Sequence, residues 1–154
     1  MDLLAVGYGL AIFPANWRPG DGLNGMDVPS TLEILMLLLL LQVKHAVFDG
    51  PMQLEWMLRE KGFYGKRGGI AHASLHGLGT LAVLLVPGCD YELALGLAVF
   101  DAVVHYHVDF AKESLVRRNG WTAAQSYFWW ALTADQMLHQ FTYLAMAAAV
   151  LEIA

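Results

Sequence analysis

Apolar positions in this chain fall into long blocks separated by short polar breaks. Ile34-Leu35-Met36-Leu37-Leu38-Leu39-Leu40-Leu41 is apolar on every side, the pattern of a helix with no water-facing stripe. Ser30 and Glu33 form an S-x-x-E capping box ahead of it, and Gly50-Pro51 ends it. A first helix is predicted from Ser30 or Thr31 to this break. Gln53 to Lys61 reads as a short amphipathic surface piece anchored by Trp56. A second long helix is predicted over 69–86, in the longest charge-free stretch, stopping at Pro87-Gly88. A third spans about 91–112 and a fourth about 122–151, with Trp129 and Trp130 near one interface. Residues 1–30 differ. The apolar run Leu3 to Phe13 is only 11 residues long, too short for a hydrocarbon core of ~30 Å. Pro14, Pro19, Gly20, Gly22, Gly25 and Pro29 then break any regular element. The expected architecture is all-α: a four-helix transmembrane bundle over 31–154, preceded by a short N-terminal interfacial arm over 1–30. A buried half-helix is the alternative for residues 3–13.

Composition sharpens the membrane expectation. Of 154 residues, 57% are hydrophobic and only 15% charged, against about 25% charged in soluble domains. Mean hydropathy is +0.46. Disorder and a disulfide scaffold are excluded, and Cys89 stands alone. The net charge of −5 and the lack of a basic block argue against a nucleic-acid partner. Met1-Asp2-Leu3-Leu4 carries no basic n-region, so the membrane helices are expected to act as their own targeting signals. Arg59, Lys61, Lys66 and Arg67 follow the first helix. Arg117 and Arg118 follow the third, and the turn after the second has no basic residue. The positive-inside rule then places the basic loops in the cytoplasm and both termini outside.

The interruptions in the apolar blocks are the informative part. Each long helix carries ionisable residues four apart: His45 and Asp49; His72 and His76; Asp101, His105 and Asp109; Asp135 and His139. This spacing stacks both members of a pair on one helix face. Five of the six histidines belong to the set, and His107 points elsewhere. Antiparallel packing brings the pairs to a similar depth, in the cytoplasmic half of the membrane. An ionised Asp in mid-membrane costs about 2.5–3.5 kcal/mol. Four of them call for protonation, for pairing with Lys44 and Lys112, or for bound cations. Helical bundles build dinuclear carboxylate–histidine centres from such inward pairs. A donor set without thiolate suits Zn, Fe or Mn, one or two ions. Asp49, His72, His76, Asp101, His105, Asp109 and His139 form the ligand pool. Asp135 or His45 is the candidate general base or a further ligand. Lys44 and Lys112 read as snorkelling residues, and Gln53, Gln136 and Gln140 as supporting groups. Tyr143 is read as a hydrogen-bond donor or a packing residue. Gly77 and Gly79 read as sites of close helix approach.

Lys44-His45 through Asp49, Ala71-His72 through His76, Asp101 through Lys112, and Asp135-Gln136 through His139 to Tyr143 together resemble a bacterial membrane family. It is catalogued as domain of unknown function 3307. The resemblance covers roughly residues 33–150 and leaves out the arm. It implies a bacterial inner-membrane helical bundle with these polar positions as its signature, and no reaction.

Three functions fit these residues. The first is a membrane-embedded, metal-dependent hydrolase or, with iron, an oxidoreductase, acting on a lipid-like or quinone substrate. A metal with an open position lowers the pKa of bound water to about 7. The second is a proton or cation pathway, which needs polar groups across the whole bilayer. The third is a non-catalytic subunit of a membrane complex. In that case the arm would contact partner subunits or a second copy.

Overall fold

The computed structural model describes residues 31–153 and is all-helical among them. The expected arm over 1–30, Ser30 of the capping box included, lies outside the described residues. Four long helices, α1 (Thr31–Asp49), α3 (Arg67–Leu85), α4 (Tyr91–Asn119) and α5 (Ser126–Ile153), form a ring in which α1 touches α3 and α5, and α4 touches the same two. The short helix α2 (Glu55–Glu60) packs on α3. The α3–α4 seam is the most extensive and the α1–α5 seam the sparsest.

Local chemistry sets most of the boundaries. The Asp90 carboxylate accepts from the backbone N–H groups of Glu92 (2.9 Å) and Leu93 (3.1 Å) and caps α4. Gly88 (φ 79°) follows α3 in the left-handed conformation that glycine adopts without a Cβ penalty. At its other end α4 runs seven residues beyond the expected stop at Lys112. Glu113 to Asn119 hold no breaker, and the first residue to end the helix is Gly120 (φ 62°). Arg117 and Arg118 therefore sit in the last turn of α4, where cations favour the helix dipole, and not in a loop. α5 starts four residues later than expected, at Ser126, after a turn in which the Gln125 side chain accepts from Thr122 N–H (2.9 Å).

Each long helix buries one stripe, and the stripes change character along the ring's axis. One end is apolar: Leu37, Leu41, Leu84, Ala94, Met146 and Val150 pack together there. The other end is polar. The outward faces are apolar, with Leu35, Leu39, Leu78, Val99, Phe141 and Leu144 all exposed. Buried charge within and exposed hydrocarbon without is the inverse of a water-facing protein. By length and composition, α3 and α4 could cross a membrane.

The α3–α4 seam closes on Gly77. A Cβ there would lie 2.9 Å from both Ala102 Cβ and the Ala98 carbonyl oxygen, a backbone atom that cannot swing aside. Gly77→Ala is therefore expected to destabilise the protein by about 1–3 kcal/mol through overpacking. Unfolding monitored by helical circular dichroism checks this, and an unchanged midpoint would show that the seam has slack.

Candidate metal centre

The polar end of the ring is built in three layers, each with one residue from every long helix. The layer next to the apolar core holds Lys44, Thr80, Asp101 and Tyr143, all at or below 7% exposure. Asp101 Oδ2 accepts from Lys44 Nζ (2.8 Å) and Thr80 Oγ1 (2.6 Å), and Lys44 also donates to Tyr143 Oη (3.1 Å). The next layer is four imidazoles, His45, His76, His105 and His139. His105 stacks between His76 (centroids 3.6 Å apart) and His139 (4.1 Å). The outermost layer holds Asp49, His72, Asp109 and Asp135. The i, i+4 spacing of the sequence carries α3, α4 and α5 from one layer to the next and α1 from His45 to Asp49, whereas Lys44 adjoins His45 in sequence.

Donor atoms converge where the last two layers meet. Asp49 Oδ1 lies 2.9 Å from His72 Nε2, 3.3 Å from His76 Nε2 and 3.7 Å from His105 Nε2. His105 Nε2 and His72 Nε2 are 3.1 Å apart. Ligands about 2.0–2.1 Å from a tetrahedral ion stand about 3.3 Å from one another, so these four atoms surround a point suited to a divalent ion. His105 also joins a second group with Asp109 and His139. There His105 Nε2 is 3.4 Å from Asp109 Oδ2, and His139 Nε2 is 3.7 Å from Asp109 Oδ1. His76 Nε2 and His139 Nε2 are buried and have no hydrogen-bond partner, and each is aimed into its group.

The nine candidates thus divide. Asp49, His72, His76, His105, Asp109 and His139 are brought into the two groups. Asp101 is not. It lies on the far side of the imidazole layer, where the buried Lys44 ammonium and Thr80 hold it. His45 is also outside both groups. Its Nε2 faces two acceptor oxygens, so Nδ1 is the acceptor and takes the Tyr143 hydroxyl proton (2.9 Å). That leaves the His45 proton on Nε2, facing Asp49 Oδ2 (3.2 Å) and Gln136 Oε1 (3.2 Å). In this tautomer His45 donates to Asp49. Asp135 stands at the edge of the second group, with Oδ1 3.6 Å from His139 Nε2.

Two lysines correct the sequence reading. Lys44 does not snorkel: it is 7% exposed and paired inside. Lys61, counted as a loop cation, is 4% exposed, with Nζ 2.7 Å from Asp109 Oδ2. Its place follows α2, whose turn brings the chain back over the polar end. Among the supporting residues, Gln53 Nε2 lies 3.1 Å from His72 Nε2. His107 faces outward, bonded through Nδ1 to the Val103 carbonyl (2.7 Å).

A cavity of about 480 Å³ opens at the sparse α1–α5 seam and reaches the centre. His45, Asp49, Lys61, Asp109, Lys112 and Asp135 line it, with Gln42, Gln53, Gln136 and Gln140. Gln42 and Gln140 hydrogen-bond to each other across the seam.

Among the described residues, fold and site together define an all-helical unit with a buried histidine–aspartate cluster beside a polar cavity. Its sequence matches the family model described as Protein of unknown function (DUF3307) over residues 34–153, and the chain belongs to that family. The match takes in all nine candidate residues. No curated protein and no solved structure matches the chain.

Proposed function

We propose that this protein is an integral membrane metalloenzyme that holds a divalent ion in its histidine–aspartate cluster and hydrolyses a lipid-like substrate. The observation that carries the reading is the four-donor group Asp49, His72, His76 and His105, whose ligand atoms all lie within 4.8 Å of one another. Buried His76 Nε2 supports it, since its contact with Asp49 Oδ1 (3.3 Å) lies outside hydrogen-bond geometry and leaves the nitrogen a place for an ion. Charge supports one resident ion. Asp49, Asp101, Asp109 and Asp135 face two buried ammoniums, Lys44 and Lys61, which leaves two negative charges for one divalent ion to balance. His139 and Asp109 are available to a second.

Nitrogen and oxygen donors without thiolate suit Zn, Fe or Mn. When bound, the ion supplies an acidified water as nucleophile. Around it, His45 holds Asp49 in place, Lys61 balances Asp109, and Asp135 faces the cavity as the candidate proton acceptor. The apolar outer faces favour a four-helix transmembrane bundle in a bacterial inner membrane, basic loops inside, with residues 1–30 as an interfacial arm. An ion-free polar network is the competing reading, and the two lysine pairs favour it.

Elemental analysis of the purified protein separates the two. Near-stoichiometric Zn, Fe or Mn in the wild type, and its loss in folded His76→Ala, is the expected result. No metal in the wild type, even after reconstitution with Zn, Mn and anaerobic ferrous iron, would overturn the proposal.

A further inference from the structure

Of the four donors that converge on the first ion position, Asp49 is the least held by its own surroundings. His72, His76 and His105 are buried within their helices, whereas Asp49 is the last residue of α1 and partly exposed. Its Oδ1 atom faces the three imidazole nitrogens, and its Oδ2 atom faces away toward α5. A carboxylate at a helix end turns about two side-chain bonds unless its second oxygen is fixed. Two groups fix it here. His45 Nε2, one turn back on α1, lies 3.2 Å from Oδ2, and Gln136 Nε2 lies 3.5 Å from it.

The hold on His45 comes from the other side of the ring of helices. A neutral imidazole has one donor and one acceptor nitrogen. Nε2 is the donor, since it faces Asp49 Oδ2 and Gln136 Oε1, so Nδ1 needs a proton from elsewhere. The hydroxyl of Tyr143, a fully buried residue on α5, supplies it at 2.9 Å. Lys44 Nζ donates to the same oxygen at 3.1 Å, which leaves the hydroxyl proton for His45. The path from Tyr143 through His45 to Asp49 therefore crosses from α5 to α1, the seam where the helices touch least. Without the hydroxyl, Nδ1 is a buried acceptor with no donor from Tyr143, a cost relieved by turning the ring. Nε2 then leaves Asp49, and Oδ1 loses its fixed aim.

Resting on the function proposed above, we infer that Tyr143 is a positioning residue for the ion: its hydroxyl orients the His45 ring, and the ring holds Asp49 as a ligand. Hydrogen-bond partners of metal ligands are commonly worth ten- to hundredfold in affinity. Gln136 keeps a hold on Asp49 Oδ2 whatever becomes of His45, so the low end of that range applies.

The test uses the full chain in detergent, stripped of metal and titrated with zinc against a chromophoric chelator, with helical circular dichroism on every sample. Tyr143→Phe keeps the ring and removes only the hydroxyl. It is expected to weaken zinc binding about tenfold. His45→Phe, or His45→Leu should the first not fold, is expected to weaken it at least as much. Combining Tyr143→Phe with the His45 variant is expected to cost nothing further, since the hydroxyl acts only through the imidazole. Thr80→Val removes a hydroxyl of the same layer that bonds Asp101 and not His45, and is expected to bind zinc as the wild type does. With cobalt(II) as the probe, the visible bands of Tyr143→Phe are expected to move toward those of Asp49→Asn, and those of Thr80→Val to match the wild type. Tyr143→Phe with wild-type zinc affinity and wild-type cobalt bands would overturn this inference alone. Losses that multiply in the double variant, or an equal loss in Thr80→Val, would overturn it too and make Tyr143 a packing residue of its layer. A wild type that binds no zinc, manganese or ferrous iron overturns the metalloenzyme reading as well.

Discussion

His105→Ala is expected to empty the centre of the one ion proposed above, whichever of the two ligand groups holds it. His105 is the residue common to both ligand groups. Its Nε2 lies 3.1 Å from His72 Nε2 and 3.4 Å from Asp109 Oδ2, between the two carboxylates that anchor the groups. Its ring is held between His76 and His139 at 24° and 23° from parallel, so no neighbouring imidazole can take over its position without leaving its own. His139→Ala touches one group only and is expected to leave the ion at Asp49, His72 and His76 in place. Removal of a large buried side chain costs about 2–5 kcal/mol by itself, so His105→Gln, which keeps volume and polarity, is the control for folding. The measurement is metal per chain by elemental analysis, beside helical circular dichroism. Folded His105→Gln with wild-type metal content would overturn His105 as the shared ligand.

The contrast between what the sequence revealed and what it hid has a physical cause. His72 with His76, and Asp135 with His139, were legible because a helix maps a four-residue spacing onto one face without any tertiary information. The helices themselves were legible because apolar blocks of such length have few alternatives. Partner choice was not legible. Asp101 shares its face with His105 and Asp109 and so reads as a ligand, yet it lies one turn nearer the apolar core, level with Lys44 and Thr80. Only the axial offset between antiparallel helices decides that, and no spacing within one helix contains it. Lys61 was hidden for a related reason. As a cation after the first helix it satisfies a topology rule, and nothing local says that α2 folds it back onto Asp109. The end of α4 was misjudged because charge was read as loop, when Glu113 to Asn119 are compatible with helix until Gly120.

Removing the Asp101 carboxylate is expected to damage the fold and spare the metal, the reverse of His105→Ala. The Lys44 and Asp101 side chains are 4% and 1% exposed and their charged atoms 2.8 Å apart. Asp101→Ala leaves a buried ammonium with Tyr143 Oη, the His76 carbonyl and His76 Nδ1 (3.5 Å) as its remaining neighbours. Breaking one side of such a pair costs about 3–5 kcal/mol. Lys44→Met is expected to cost a similar amount, since Asp101 keeps only the Thr80 hydroxyl. The double variant Lys44→Met/Asp101→Ala removes both charges together and is expected to recover much of the loss, because it leaves no uncompensated charge buried. Unfolding of all four proteins in mixed maltoside–dodecyl sulfate micelles gives the cycle, and elemental analysis of the same samples gives the metal. A large positive coupling with unchanged metal identifies the pair as the strut between the apolar core and the imidazole layer. Loss of metal from folded Asp101→Ala would instead return Asp101 to the ligand set, and the three-layer division of the site would fail with it.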